Sequence, residues 1–327
     1  MSAQNWIAPE SIKIPDFIIC GAMKSGTSTL RDILEQHPNI YIPSHGIYLF
    51  DIDNIFQHPD FCYFDGSNWL IQRFEENPTY FWQWYSSQFD GATRDQIIGE
   101  DSTTYLASEI AAKRIGLQRK RIKLIVMLRH PTRRAYSQYW HMVRTGRAIY
   151  SFEDAIRLDP YNLLHRSLYR EQLRLLFRHV PQEDVKCVIF EEFIKNKHDT
   201  IQEICNHIRV DYKLLPRDSI DAHSNKGTAP KYPDIQLLKN RFFREAENLH
   251  YYSYLPVKPD GGTVKSKIQA GLLRLINRMH RKINPLIDGK PPMLKTATSN
   301  FLDQFFKKEL DGINELLGKD VMSIWFN

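Results

Sequence analysis

The chain has 327 residues, 42% of them hydrophobic and 12% aromatic, so it can bury a core as one large α/β domain or as one domain with an extension. Its formal net charge of +6 favours acidic partners: a nucleotide-like donor, an anionic substrate, nucleic acid or a membrane surface. No stretch approaches about eighteen uncharged apolar residues and residues 1–15 lack a signal-peptide pattern, so we expect neither a membrane-spanning helix nor a cleaved leader.

A strand, a small-residue loop and a helix follow one another near the start of the chain. Residues 17–20 are continuously apolar, which is typical of a parallel strand covered on both faces. Residues 21–27 form the loop, and residues 28–36 carry apolar side chains on one helical face. Such a loop directs backbone N–H groups and a positive helix end at one point. The segment predicts a phosphate site; the alternative is a glycine turn with a solvated Lys24.

This loop differs from the usual phosphate-binding loop of kinases and NTPases. Gly21 and Gly26 have the spacing of G-x-x-x-x-G-K-[ST], but Thr27 stands where that motif has its lysine, and Lys24 lies inside the loop. A kinase also needs an acidic Mg²⁺ ligand after a second apolar strand, whereas that strand here ends in Arg129. We therefore expect an anion site without a metal.

The segment between residues 39 and 106 continues the sheet. Residues 39–43 predict a short strand, and the loop at 44–53 must pass close to the first loop because the connection is short. Residues 78–89 predict an aromatic helix that packs in the core, with a lid or an acceptor wall as the alternative. Within residues 97–106, Glu100 lies near the end of a predicted strand. A helix follows near residue 107, and Ser102 or Thr103 is its expected cap.

A second informative stretch covers residues 121–147. Residues 123–128 form a buried strand that ends in Arg129, and a helix begins at about residue 131. One face of that helix carries a guanidinium, a hydroxyl and an imidazole at three- and four-residue steps: Arg133 or Arg134, Ser137 and His141. Arg129 and Ser137 suit a second phosphate. Two anion sites at the ends of two parallel strands predict one ligand with phosphates at both ends, such as a 3′-phosphorylated nucleotide.

The remainder of the chain is expected to be mainly structural. The predicted elements are a strand at 185–190 and helices at 162–179, 199–208, 235–249 and 301–317. A further helix within residues 257–292 has an apolar stripe surrounded by lysines and arginines. We expect this stripe to pack on the domain. Contact of residues 265–283 with an anionic membrane, or cover over a substrate cleft, is the less favoured interpretation.

Two of these segments carry a family resemblance. Residues 24–30, KSGTSTL, resemble the K-x-G-T-[ST]-x-L loop of sulfotransferases that use 3′-phosphoadenylyl sulfate (PAPS). Residues 128–137, LRHPTRRAYS, resemble the L-R-x-P-x-x-R-A-x-S motif of the same enzymes. The two motifs in this order are a much stronger signal than either one alone.

Weaker matches point to the heparan-sulfate-type and bacterial branch of that family. Residues 99–106, GEDSTTYL, resemble its G-E-x-S-P-x-Y-L segment, with Thr103 in place of proline. Residues 225–233 are similar to its K-G loop before Y-P, and the end of the chain resembles its closing L-L-G…W. The resemblance covers residues 17–236 and resumes at the C-terminus.

The resemblance implies a set of donor contacts. Lys24 would neutralise charge that develops as the S–O bond breaks. The residues that would cradle the 5′-phosphate are Ser25, Gly26, Thr27, Ser28 and Thr29. Arg129 and Ser137 would bind the 3′-phosphate, and Lys226 with Gly227 would close over the nucleotide. A sulfuryl group carries less charge than a γ-phosphoryl group, in agreement with the expectation of no metal.

The general base is where the sequence departs from these relatives. Gly46 stands where the branch has its catalytic glutamate. His45 is one residue away and can accept a proton at neutral pH. His141 matches a functional histidine of the N-sulfotransferase members, and Glu100 is a third candidate. We rank His45 first among the three.

Cysteine usage bears on location. Cys20, Cys62, Cys187 and Cys205 show no paired spacing, so we interpret them as reduced thiols and expect the protein in the cytoplasm.

The sequence thus predicts a doubly wound, parallel-sheet α/β domain of the P-loop-like sulfotransferase fold at residues 14–255. A helical extension at 256–327 packs on the same domain. Its expected function is the transfer of a sulfuryl group from PAPS to a hydroxyl or amine of a small metabolite or saccharide, in a bacterial setting. Adenosine 3′,5′-bisphosphate (PAP) is the other product. The rivals are a P-loop kinase that uses Mg-ATP and a non-catalytic binder of anionic glycan or nucleic acid.

Overall fold

The structure, a computed structural model, describes residues 3–64, 67–221, 227–243, 254–258, 264–289 and 291–327. Its strands are β1 (Phe17–Gly21), β2 (Ile40–Tyr41), β3 (Tyr63–Phe64), β4 (Trp69–Leu70), β5 (Ile97–Asp101), β6 (Lys123–Leu128), β7 (Val185–Ile189), β8 (Thr228–Pro230) and β9 (Leu286–Asp288). Its helices are α1 (Thr27–Leu34), α2 (Pro78–Ser87), α3 (Glu109–Gly116), α4 (Pro131–Arg144), α5 (Phe152–Leu158), α6 (Pro160–Leu163), α7 (Tyr169–His179), α8 (Phe190–Phe193), α9 (Lys197–Ile208), α10 (Arg217–Asp221), α11 (Pro233–Phe242), α12 (Val264–Ile283), α13 (Thr296–Glu309), α14 (Ile313–Leu317) and α15 (Val321–Phe326).

The centre of the molecule is a parallel five-stranded sheet in the order β2-β5-β1-β6-β7. All five residues of β1 are buried, as expected for a strand covered by helices on both faces. β1 lies between β5 and β6, so the strand order reverses beside it, and ligands of open α/β sheets bind at such a switch point. The predicted doubly wound α/β fold is confirmed.

The predicted helix over residues 162–179 is wrong, because it is two helices. α6 and α7 are separated by a 3₁₀ turn, His165–Ser167. The buried side chain of Arg134 donates to the carbonyl of Leu163 at 2.5 Å and to the hydroxyl of Ser167. These contacts draw the end of α6 and the turn onto α4 and break the helix there.

The predicted cap of the helix near residue 107 is also wrong. α3 is capped by Ser108, whose hydroxyl accepts from the N–H of Ala111 at 3.3 Å. Ser102 instead donates to the carboxylate of Glu100 at 2.6 Å. A short 3₁₀ turn, Tyr105–Ala107, separates β5 from α3.

The aromatic helix α2 packs into the core, as expected. Trp82 and Tyr85 are buried in the same apolar cluster as Phe306 and Trp325 of the C-terminal helices. The predicted single helix at 301–317 is wrong: it is divided into α13 and α14, with Gly312 at φ 82° before α14. The boundary predicted at residue 255 follows residues 244–253, which lie outside the described chain, and it stays a prediction.

The stripe of α12 does not pack on the domain as expected. Leu272, Leu275, Met279 and Ile283 are each more than half exposed. The helix contacts α11 through a different face. Among the described residues, none of the helices combines the length and the apolar character that crossing a bilayer requires.

Candidate functional site

The loop between β1 and α1 is tightly turned and closely covered. Gly26, directly before α1, has φ 92°, and a Cβ there would lie 2.7 Å from the ring of Phe190. Gly21 has φ 143°, and its Cβ would lie 2.8 Å from that of Leu106. Because the first N–H groups of a helix have no partner inside it, the start of α1 offers several donors together. Both glycines are therefore required by the backbone of this candidate anion site.

Lys24 lies in this loop in the left-handed region, at φ 68°. Its side chain is half-buried near three guanidinium groups. The pKa of Lys24 is lowered to about 8. Burial is the largest cause, and the positive charges of Arg144, Arg129 and Arg134 add to it. This concentration of uncompensated positive charge is what a multiply charged anion relieves when it binds.

Arg129 connects the two strand ends. It follows β6, and its Nη1 donates to the backbone carbonyl of Lys24 at 3.1 Å. Its guanidinium lies 4.9 Å from the ring centre of Phe190. Burial lowers its pKa, and its Nε is buried without a hydrogen-bond partner in the described chain. An unsatisfied guanidinium donor at this edge of the sheet fits a phosphate oxygen.

α4 contributes a row of polar side chains one turn apart. Ser137 is half-buried on this helix, and His141 and Arg144 follow it at steps of four and three residues. Burial, together with the charges of Lys24, Arg144 and Arg147, lowers the pKa of His141 to about 3. The imidazole is therefore neutral in the free protein and electrostatically coupled to Lys24.

Arg144 is a further cation near Lys24 and His141 that the sequence analysis does not single out. Its Nη1 donates to the carbonyl of Thr228 at 3.0 Å and to its hydroxyl at 2.9 Å. Thr228 follows Gly227, which was expected to close over the nucleotide. Lys226 lies outside the described residues. The three-residue step from His141 was the available signal for Arg144.

Arg134 does not join this row. It is fully buried, and burial lowers its pKa to about 10. Its contacts are with the segment that joins α6 and α7, so its role is to hold α4 against that segment. Arg133, the alternative in the sequence, is exposed.

Glu100 is not presented to solvent. Its carboxylate is fully buried and accepts from the hydroxyls of Tyr85 at 2.5 Å, Ser102 at 2.6 Å and Tyr105 at 2.8 Å. Ser102 and Tyr105 in turn accept from the backbone N–H groups of Tyr48 and Phe50. Burial raises the pKa of Glu100. The arrangement fixes the loop after β2 against β5 and argues against Glu100 as the base.

His45 lies on that same loop. Its half-buried ring is 4.2 Å from the ring of Tyr254. The preceding Ser44 carbonyl accepts from Arg31 of α1 at 3.4 Å. The structure thus places His45 on a loop held to α1 and β5.

The neighbour of Glu100, Asp101, is a second polar group that sequence reasoning did not single out as a candidate base. It ends β5 beside Ile19 of β1 and is 9% exposed. Burial raises its pKa to about 7, although the charge of Arg31 opposes this. Its Oδ1 has no hydrogen-bond partner within the described ranges. A carboxyl group that titrates near neutrality therefore lies at the switch point.

The C-terminal helices support the turn after β6. Glu191 accepts from the backbone N–H of His130 at 3.0 Å and from the indole N–H of Trp325 at 3.1 Å. Tyr169 donates to the carbonyl of Arg129 at 3.0 Å, and its ring lies 5.8 Å from that of Trp325. The position of Arg129 depends on residues from three separate parts of the chain.

A groove of about 320 Å³ lies elsewhere on α4. It is lined by residues such as Tyr139, Trp140 and Leu237, which lie on a different face of α4 or on α11. This groove is therefore separate from the row formed by Ser137 and His141.

Together, the parallel sheet and the glycine turn before α1 define a protein of the P-loop-like α/β class. Cations lie at the ends of β1 and β6, where Arg129 donates directly to the carbonyl of Lys24.

The chain belongs to the sulfotransferase family, whose family model matches residues 15–213. The chain is 27% identical over 188 residues to heparan sulfate glucosamine 3-O-sulfotransferase 5 of Mus musculus, covering 54% of this chain and 48% of that protein. It is 32% identical over 126 residues to bifunctional heparan sulfate N-deacetylase/N-sulfotransferase 1 of Caenorhabditis briggsae, covering 38% and 12%. The chain thus spans about half the length of the 3-O-sulfotransferase, and less of the bifunctional protein.

A solved structure shows the same fold. The sulfotransferase from Alicyclobacillus acidocaldarius superposes with a TM-score of 0.62 at 22% identity, covering 97% of this chain and all of that one. The predicted family and fold are confirmed by these comparisons.

Proposed function

We propose that this protein transfers a sulfuryl group from PAPS to a hydroxyl or amine of a small metabolite or saccharide. The observation that carries the proposal is the direct hydrogen bond, 3.1 Å, between the Arg129 guanidinium and the Lys24 carbonyl. It shows that the end of β6 meets the loop after β1, which supports one doubly phosphorylated adenosine bound across both. Family membership supports the reaction class, and the relatives named above support a saccharide among the acceptors.

In the proposed donor site, each end of the nucleotide has its own set of donors. The start of α1, with Ser25, Gly26, Thr27, Ser28 and Thr29, holds the 5′-phosphate. Arg129 and Ser137 hold the 3′-phosphate, with Arg129 Nε as the unsatisfied donor. Gly227, held next to Thr228 and Arg144, covers the nucleotide together with Lys226.

The proposed chemical step is an in-line displacement at sulfur. The acceptor oxygen or nitrogen forms a bond to sulfur while the bond from sulfur to the bridging phosphate oxygen breaks. The bonding pair goes to that oxygen, which Lys24 stabilises as PAP forms. The acceptor proton passes to a general base.

We assign His141 as that base, ahead of His45. Support comes from its electrostatic coupling to Lys24. In the free protein, burial and the positive charges of Lys24, Arg144 and Arg147 keep His141 unprotonated. The bound donor brings several negative charges to these cations, which raises the pKa of His141 and allows it to accept a proton. His45 is the second candidate, since its loop is held beside β5.

The location proposed for this activity is the cytoplasm. The four cysteines are free thiols in the structure, and burial raises the pKa of Cys20, Cys187 and Cys205, so the thiolate forms of all three are disfavoured.

Titration calorimetry with PAP tests the donor site. We expect one PAP per chain, with affinity unchanged by EDTA. Binding of Mg-ATP in preference to PAP supports the kinase rival instead. Turnover is then measured with labelled PAPS and a panel of saccharides and small alcohols. Stoichiometric binding of glycan or RNA without PAP binding supports the non-catalytic rival.

A further inference from the structure

The exposed side of α12 is apolar over several turns. Leu272, Leu275, Met279 and Ile283 are 57%, 54%, 58% and 64% exposed. Their spacing of three and four residues puts them on one stripe along the helix. On a soluble surface, single exposed apolar residues are common, whereas a continuous stripe of four is a contact surface.

The stripe faces outward because a different face of α12 holds the helix on the domain. His280 Nε2 lies 2.9 Å from Oε1 of Gln236 on α11. Asn284, just after the helix, accepts from the N–H of Tyr232 at 2.7 Å and donates to its carbonyl at 2.9 Å. These polar contacts fix the rotation of α12, so the apolar stripe cannot turn inward without losing them.

The charge of α12 is entirely positive. Its 20 residues contain no aspartate or glutamate. Its basic residues are Lys265, Lys267, Arg274, Arg278, Arg281 and Lys282. Two copies of this surface repel each other, so a second copy of the chain is a poor occupant. An anionic surface complements it.

We propose that α12 binds the surface of an anionic lipid bilayer, with the stripe of Leu272, Leu275, Met279 and Ile283 inserted at the headgroup level and the flanking arginines on the lipid phosphates. A helix with one apolar stripe, one basic side and no acidic residue has the composition of an interfacial helix. α11 also carries exposed apolar side chains, at Leu238 and Phe242.

The position of α12 links this surface to the candidate site. The chain leaves α12 into β9, which pairs antiparallel with β8. β8 begins directly after Gly227, whose carbonyl accepts from the N–H of Gly289 at 2.9 Å. The proposed function has Gly227 cover the nucleotide, and a bilayer-bound α12 holds Gly227 near the lipid headgroups.

Co-sedimentation with lipid vesicles tests the proposal on the full chain. We expect binding to vesicles of phosphatidylcholine with phosphatidylglycerol, little binding to phosphatidylcholine alone, and weaker binding as salt is raised. The double variant Leu275→Asp/Met279→Asp and the double variant Arg274→Glu/Arg278→Glu should each bind at least about tenfold more weakly. Leu214→Asp, at an exposed leucine beside α9, is the matched control and should bind like the original protein.

Three results overturn the proposal. The first is an original protein that does not sediment with anionic vesicles. The second is a Leu275→Asp/Met279→Asp variant that binds them unchanged while retaining its circular dichroism spectrum. The third is a dimer in sedimentation velocity that this variant abolishes, without vesicle binding by the original protein, because the stripe would then be covered by a second copy.

Discussion

At the scale of the residue, Lys24 and the neighbouring arginines concentrate positive charge in the candidate site. The folded chain holds an ammonium that is half-buried and close to other cations, with a pKa of about 8 against an ordinary 10.5. In the proposed function, the bound donor supplies negative charge beside this ammonium. This buried charge destabilises the unliganded protein, as is common for functional sites.

The pH dependence of PAP binding follows from this pKa. Below about pH 8, Lys24 is charged before the ligand arrives, and affinity should be flat with pH. Above it, binding must first return a proton to Lys24, so the dissociation constant should rise about tenfold per pH unit. Calorimetry between pH 6.5 and 9.5 at constant ionic strength measures this. Lys24→Met should bind weakly with no break near pH 8.

Replacing Lys24 should weaken PAP binding but stabilise the folded protein. The unfolded chain keeps the proton on Lys24 up to about pH 10.5, whereas the folded chain keeps it only up to about pH 8. The destabilisation caused by burying the charged ammonium is therefore fully present below pH 8 and fades between pH 8 and pH 10.5. At pH 7, Lys24→Met should raise the free energy of unfolding by about 2 kcal/mol. Urea denaturation at pH 7 and at pH 10 measures the gain, which should shrink at the higher pH. A loss of stability at pH 7 contradicts the assignment.

His141 provides the test of the base. His141→Gln should lower kcat by about 10²- to 10⁴-fold and remove the acidic limb of its pH profile, while PAP affinity changes little. His207→Gln is the matched control, since burial also lowers the pKa of His207, but it lies on α9 and contacts the carbonyl of Leu124 near the start of β6. An acidic limb that survives in His141→Gln and disappears in a His45 variant assigns the base to His45.

At the scale of the element, Gly26 is one of the two glycines on which the loop before α1 depends. Gly26→Ala forces a Cβ to 2.7 Å from the Phe190 ring at a φ of 92°, so it should destabilise the fold by about 2 kcal/mol and abolish PAP binding. Gly271→Ala is the control: it lies inside α12 with no atom within 4 Å of the added Cβ, and it should stabilise slightly. Thermal melting and calorimetry measure both variants.

The elements that the sequence predicted well are those with local causes. Residues 123–128 form β6 as predicted, because a continuous apolar run bounded by Arg129 and Pro131 leaves little choice. The break between α6 and α7 was missed because its cause, the side chain of Arg134, lies about thirty residues earlier in the chain. Helical periodicity also identified the apolar stripe of α12. It could not show which face of the helix packs on the domain, because the polar contacts of Asn284 decide that.

At the scale of the whole molecule, the proposed donor site is assembled from distant segments. The two strand ends were predictable, because parallel strands present their carboxyl ends at one edge. The supports were not predictable, since Glu191 and Trp325 meet only through the packing of the C-terminal helices on α7.

That support gives a final prediction about long-range coupling. Trp325→Phe keeps an aromatic ring in the core but removes the 3.1 Å hydrogen bond to Glu191, leaving one carboxylate oxygen unsatisfied. The freed carboxylate should reorient and loosen the turn at His130, so PAP binding should weaken several-fold with a stability loss of about 1–2 kcal/mol. Phe306→Leu, in the same core and without contact to Glu191, should cost similar stability and leave PAP affinity unchanged. Equal PAP affinity in the two variants would show that the C-terminal helices stabilise the fold without positioning Arg129.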